Sequence, residues 1–281
     1  MEENKPLSEL TTFGIGGLAR FFCKVQTLQN LKEAITFAKE KNIPFLILGK
    51  GSNSLFLDEV YEGLIIQNKI DFLKELSPGT FHVGAGYSFA LLGTKTAQQG
   101  YSGLEFASGI PASVGGAIYM NAGANGSETA DTLFSVDYLD EEGNLKTLKK
   151  DELQFSYRTS SFQTLPGAIV AGTFKLSKSL NARSKQLEII SYRKKTQPYG
   201  DKSAGCVFRN PECNHAGKLI EEAGLKGMRV GGAEVSTLHA NFIVNRENAK
   251  AEDVLKLIEL IKKKVKDYSG VDLESEIRIL P

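Results

Sequence analysis

The chain has 281 residues, with Lys+Arg 34 against Asp+Glu 33. That length supports a well-buried core and suggests two domains. A hydrophobic share of 41% with 24% charged residues excludes a wholly disordered chain, and the near-neutral balance excludes one that coats polyanions along its length. Met1 to Leu10 is polar and carries no apolar signal core, and no apolar run approaches the roughly 20 residues that span a bilayer. A cytoplasmic protein without membrane or nucleic-acid partners is expected. Cys23, Cys206 and Cys213, with His82, His215 and His239, are scattered and lack a CxxC or other metal spacing. No disulfide framework and no metal site are expected.

Leu28, Leu31, Ala34, Ile35 and Ala38 recur at helical spacing until Asn42 and Pro44 stop the pattern. Phe45 to Leu48 then reads as a buried strand, and Gly63 to Ile66 and Phe81 to Val83 as two more. From Gly100 to Gly126 the chain is dense in glycine and small residues with no clear period. Val136 to Leu139 and Leu145 to Leu148 flank Asp140-Glu141-Glu142-Gly143-Asn144 as a hairpin, and Ala168 to Leu176 forms another strand. Ser177 to Lys185 is polar and marks the expected domain border. Beyond it lie a basic amphipathic segment, Gln186 to Lys195, and a short helix from Lys218 to Ala223 ended by Gly224. Asn241 to Asn245 reads as a strand. Glu252 to Lys266 reads as a helix with Val254, Leu257, Ile258, Ile261 and Val265 on its apolar stripe. The run Lys262-Lys263-Lys264 is its solvated end. Leu273 to Leu280 alternates as a strand would, placing Glu276 and Arg278 on one side.

Two glycine loops carry the first chemical signal. Gly49-Lys50-Gly51-Ser52-Asn53 follows a buried strand, where glycines free backbone N–H groups to face an anion and Ser52 and Asn53 add side-chain donors. By itself this is equally a tight turn. It matches neither the P-loop nor the GxGxxG fingerprint. The second loop, Gly109-Ile110-Pro111-Ala112-Ser113-Val114-Gly115-Gly116, is followed by Asn121-Ala122-Gly123. Several such loops together suggest one long ligand bearing a pyrophosphate, and FAD fits.

These segments resemble the FAD-binding domain of the vanillyl-alcohol-oxidase (PCMH) type. The whole chain, more narrowly, resembles the UDP-N-acetylenolpyruvoylglucosamine reductase family. The resemblance rests on Thr11-Thr12-Phe13-Gly14-Ile15-Gly16-Gly17, Leu48 to Asn53, Gly103 to Gly123 and Phe155 to Ser160. It continues through Ser203 to Pro211, Ala216 to Glu221, His239-Ala240-Asn241-Phe242 and Leu273 to Arg278. It implies an α+β protein. Residues 1–180 would form the FAD-binding domain, in two subdomains of about 1–70 and 71–180. Residues 181–270 would form a smaller α/β substrate-binding domain, and residues 271–281 a tail strand returning to the active site. Position 50 is lysine where the family usually has glycine, and position 206 cysteine where it usually has serine. The chain resembles the family's shorter type, which lacks a loop carrying a substrate-covering tyrosine.

The resemblance further implies an NADPH- and FAD-dependent oxidoreductase of peptidoglycan precursor synthesis. It would reduce UDP-N-acetylglucosamine enolpyruvate to UDP-N-acetylmuramate. Such chemistry needs a cation at the substrate carboxylate, an acid and a polariser. Arg158 is the candidate cation, Cys206 the proton donor and Glu276 the polariser. Tyr157, Lys194, Asn210 and Arg278 are candidate substrate contacts. Gly49, Lys50, Gly51, Ser52, Asn53, Gly109, Ile110, Pro111, Ser113, Gly115, Gly116, Asn121 and Gly123 are candidate cofactor contacts. His239 reads as a structural histidine, and a monomer is expected. The competing readings are another FAD-dependent oxidase on the same scaffold and a non-catalytic nucleotide-sugar sensor. The first is weakened because none of the three histidines sits in the N-terminal glycine loops, where a flavin-linking histidine would be sought.

Overall fold

The computed structural model describes residues 1–281 and has six α-helices among many short strands. Contacts divide it into a central unit, Cys23–Lys50 with Leu64–Arg193, and a terminal unit, Met1–Phe22, Gly51–Gly63 and Lys194–Pro281. No helix is long and apolar enough to cross a membrane.

In the central unit the expected first helix is α1 (Leu28–Glu40), capped by the Thr27 hydroxyl, which accepts from Asn30 N–H at 3.1 Å. Asn42 leaves it at a φ of 51°. The strand Phe45–Leu48 pairs parallel to Leu64–Gln67. The main layer is a five-stranded antiparallel sheet in the order Leu145–Lys149, Leu133–Asp140, Gly167–Lys175, Thr80–Gly84, Leu73–Ser77. Helix α2 (Phe89–Gln98) and helix α3 (Val114–Tyr119) belong to the same unit. Phe89, Leu92, Val114 and Ile118 from these helices join Phe81, Val136 and Phe174 in one buried cluster. The glycine-dense stretch lacked a period because no regular element in it exceeds α3; it is built from tight turns around that short helix.

Helix α4 (Ala182–Thr196) contains the Gln186 to Lys195 segment, and the division between units falls within it, at Arg193 and Lys194. The border expected at Ser177 to Lys185 is therefore early. Polarity there reflects an exposed connection; Leu180 is fully exposed.

The terminal unit corrects the expected 1–70 subdomain. Residues 1–22 and 51–63 group with the C-terminal part of the chain. Phe13, Ile15 and Leu55 are buried in the same cluster as Val207, Leu219, Ile243 and Leu257. Thr12 Oγ1 donates to Ser203 O at 2.7 Å, and Asn245 Nδ2 donates to Phe13 O at 3.2 Å. Glu2–Pro6 forms an antiparallel hairpin with Leu18–Phe22. The unit's four-stranded antiparallel sheet runs Ser203–Cys206, Phe242–Asn245, Ala233–Val235, Arg229–Val230. Helix α5 (Ala216–Glu222) ends before Gly224, whose φ is 70°. Helix α6 (Ala251–Ser269) buries the expected stripe. The tail is a strand only over Arg278–Leu280, parallel to Ser54–Phe56; Glu276 lies before it. The alternation read from Leu273 onward overextended the strand, because Ser275 makes only an isolated bridge to Phe208 and continuous pairing begins at Arg278.

Asp58 accepts from the N–H groups of Ala251 and Glu252 at 3.2 and 3.4 Å, satisfying two donors at the start of α6. Asp58→Ala should cost about 1 kcal/mol of stability. Chemical denaturation would show it as a lower midpoint with an unchanged slope.

Candidate active site

In the central unit the first glycine loop meets the second. A Cβ on Gly49 would lie 2.2 Å from Ser113 Oγ, so a side chain there would displace that hydroxyl. That hydroxyl accepts from Gly116 N–H at 3.2 Å and caps α3. Ser113 also bridges Ser88 through the backbone, and Ser88 caps α2. Lys50 Nζ donates to Ser88 Oγ at 2.9 Å. Burial pushes the Lys50 ammonium down from its ordinary pKa, and neighbouring Lys69 adds to that, against Asp71.

The second loop differs from the backbone-exposing arrangement expected of it. Ile110 N–H donates to Ala107 O, Ala112 N–H to Ile110 O, and Gly115 N–H to Ala85 O at 2.8 Å, while Pro111 has no N–H. Gly115 is small because a Cβ there would sit 2.9 Å from the Ala85 methyl. Gly115 thus lets α3 start against Ala85, and the density of glycines was the legible part of the signal. Gly123 belongs to a two-residue pairing with Glu128. Asn121 is fully buried with a φ of 41°. Its amide donates to Ser156 O at 3.0 Å and its carbonyl accepts from Ala130 N–H at 3.0 Å. It ties three loops together.

Ser156 begins the turn that carries Arg158. Phe155–Ser156 pairs with Thr159–Ser160, leaving Tyr157 and Arg158 as a two-residue turn. Arg158 holds a φ of 57°, which costs a non-glycine residue roughly 1–2 kcal/mol. Ser160 Oγ donates to Tyr119 O at 2.7 Å and Gln163 Nε2 to Arg158 O at 3.0 Å, fixing the turn to the end of α3. The guanidinium lies 4.9 Å from the centroid of the exposed Tyr157 ring.

In the terminal unit Gly51 has a φ of 61°, and a Cβ there would lie 2.4 Å from Leu10 O. Ser52 is half-buried beside it. Asn53 Nδ2 donates to Glu276 O at 3.3 Å, and Arg278 N–H donates to Asn53 O at 2.9 Å. Asn53, read as a cofactor contact, therefore holds the tail that carries Glu276 and Arg278. A cleft of about 380 Å³ opens in this unit, lined by Cys206, Asn210, Lys195, His215, Lys218 and His239, among others. Asn210 Oδ1 accepts from Ala216 N–H at 3.1 Å at the start of α5. Lys194 is exposed and outside the lining; its neighbour Lys195 lines the cleft instead. Successive helix positions point about 100° apart, so a pair of adjacent lysines cannot share a direction. His239 was read as structural, yet it lines the cleft, with its Nδ1 accepting from Asn241 N–H at 3.2 Å. The acceptor Nδ1 places the proton of the neutral ring on Nε2. A polar His239-Ala240-Asn241 just before an apolar strand was the signal available for it. Two lysines and two histidines against the single carboxylate of Glu221 suit a phosphate-bearing ligand.

Residues 197–280 match the domain family described as UDP-N-acetylenolpyruvoylglucosamine reductase, C-terminal domain, and residues 19–149 match an FAD binding domain. The chain is 60% identical over 280 residues to the UDP-N-acetylenolpyruvoylglucosamine reductase of Protochlamydia amoebophila, covering 100% of this chain and 94% of that protein. It is 46% identical to that of Chlamydia muridarum, covering 100% and 95%. The crystal structure of UDP-N-acetylenolpyruvylglucosamine reductase from Thermus caldophilus aligns with a TM-score of 0.84 at 39% identity, covering 98% of this chain and 97% of the other.

The central unit suits FAD on its own features. Lys50 and Lys69 bring positive charge to the glycine loop, where a diphosphate is the complementary group. Gly49 leaves the Ser113 hydroxyl in place to cap α3. The Ser108 hydroxyl, on the turn leading into Gly109-Ile110-Pro111, is buried without a partner. Gly49→Ala should displace Ser113 and weaken FAD binding by about 1–3 kcal/mol. Titration of the apoprotein with FAD measures it.

Proposed function

The chain belongs to the UDP-N-acetylenolpyruvoylglucosamine reductase family, and we infer that it is a working member: an NADPH-dependent flavoenzyme that reduces UDP-N-acetylglucosamine enolpyruvate to UDP-N-acetylmuramate. The observation that carries the assignment of roles is the cleft: Cys206 lies on its wall together with Asn210 and the cationic and imidazole groups of Lys195, Lys218, His215 and His239. FAD, once reduced by NADPH, supplies the hydride for the enolpyruvyl double bond. The chain's own residues then have two tasks, to stabilise charge beside the substrate carboxylate and to give that carbon a proton.

Arg158 is the group for the carboxylate. A guanidinium stays charged and offers two parallel donors, and its strained turn holds it in one place. Cys206 is the acid. A free thiol has a pKa of roughly 8.5, far below an aliphatic hydroxyl, which makes a cysteine a competent proton donor near neutral pH. Its Sγ–H bond breaks as the new C–H bond forms, and the sulfur keeps the electron pair. Glu276 polarises the developing enol, held by its backbone N–H on Val207 O at 2.7 Å. Asn210, Lys195 and Lys218 meet the nucleotide diphosphate and sugar. On this reading the protein acts as a cytoplasmic monomer on a diffusible nucleotide sugar.

Two outcomes test the roles. Cys206→Ala should keep flavin reduction by NADPH but slow reoxidation by the enolpyruvyl sugar by roughly 100-fold or more, while Cys206→Ser keeps both. Stopped-flow absorbance of the flavin separates the half-reactions, and an alanine variant that reoxidises normally removes Cys206 from the mechanism. Arg158→Gly relieves the strained φ and should raise stability by up to about 1 kcal/mol while turnover collapses. Thermal melts beside steady-state assays would show the two moving in opposite directions.

A further inference from the structure

The strand carrying Cys206 loses its ladder at Cys206. Ser203 opposes Val244 and Cys206 opposes Phe242, with a register shift between them. Val207 and Phe208 continue inward at 1% exposure each, so their peptide groups need partners. Val207 N–H donates to Asn241 O at 2.8 Å. Phe208 N–H donates to the Asn241 side-chain oxygen at 2.9 Å, and the Asn241 side-chain nitrogen donates back to Phe208 O at 2.8 Å. One carboxamide thus serves both polar groups of Phe208, as a paired strand residue would. Asn241 itself is 3% exposed.

The same short segment receives the tail. Val207 O accepts from Glu276 N–H at 2.7 Å and Arg209 N–H donates to Glu274 O at 2.9 Å. Cys206 lies immediately before the clamped peptides, and Glu276 hangs on one of them. Asn241 also donates its backbone N–H to His239 in the cleft wall.

We propose that Asn241 is the positioning residue of the proton-delivery step, setting Cys206 and Glu276 in place through the Val207–Phe208 backbone. This rests on the roles assigned above. Asparagine is the side chain the position requires. Leucine fills a similar volume but leaves a buried donor and a buried acceptor unpaired. Ionised aspartate accepts from Phe208 N–H but cannot donate to Phe208 O, whereas protonated aspartic acid does both.

The test uses the FAD-loaded protein, reduced chemically and mixed with UDP-N-acetylglucosamine enolpyruvate, beside mass-spectrometric measurement of iodoacetamide alkylation at Cys206 across pH. Asn241→Leu should retain its flavin yet reoxidise roughly 10- to 100-fold more slowly at saturating sugar. Its Cys206 alkylation profile should shift along the pH axis. Asn241→Asp should recover rate relative to the native protein as pH falls. A leucine variant with native reoxidation and a native alkylation profile overturns the proposal. So does an aspartate variant with no acid rescue, which decides the matter should the leucine variant fail to fold. Normal reoxidation by Cys206→Ala would instead defeat the acid assignment, while the alkylation profile would still report whether Asn241 holds position 206.

Discussion

Asn241 exchanges two hydrogen bonds with the main chain of Phe208, and the cleft wall of the terminal unit depends on that exchange. The strand that carries Cys206 ends its pairing with Phe242–Asn245 at that residue. Ending the ladder leaves buried peptide groups, which are costly unless something else bonds them. The side chain of Asn241 does so on one side, and the backbone of Glu274 and Glu276 does so on the other. Cys206, Asn210 and the tail are located as a consequence.

The central unit meets a similar constraint by a different means. Its loops pack closely at Gly115, where a Cβ would press on Ala85, and the Ser113 hydroxyl fills the space beside Gly49. Ser113 caps α3, Ser88 caps α2 and anchors Lys50, and Asn121 joins the loops around Ser156 and Ala130. The Arg158 turn is built on this base through Ser160 and Gln163. A strained residue persists only where its surroundings over-determine it, and these bonds supply that determination.

On the proposed roles, lysine at position 50 and cysteine at position 206 serve their sites by different physics. A half-buried ammonium bonded to Ser88 adds charge to a loop that otherwise relies on backbone geometry. A thiol in place of a hydroxyl offers a more acidic proton from a larger atom. Family membership does not depend on either, since identity with the relatives extends over the whole chain.

Helices α1 and α6, the 133–149 hairpin and the buried strands were legible because amphipathic period and turn residues are local properties of a chain. The glycine loops were legible as loops, and the motif order made the family legible. Other features were decided only by tertiary structure. Residues 1–22 join the C-terminal unit because Phe13 and Ile15 pack into its core, a contact that no local pattern encodes. The amides of Asn53 and Asn121 bond the backbone of Glu276 and Ser156, partners that no local pattern names. Lys195 rather than Lys194 reaches the cleft because helix phase selects one of two adjacent identical residues. The sequence by itself determined which chemical groups this protein has and the family to which it belongs. Tertiary structure decided which of those groups remain available to a ligand, because a polar side chain bonds whatever the fold brings within reach.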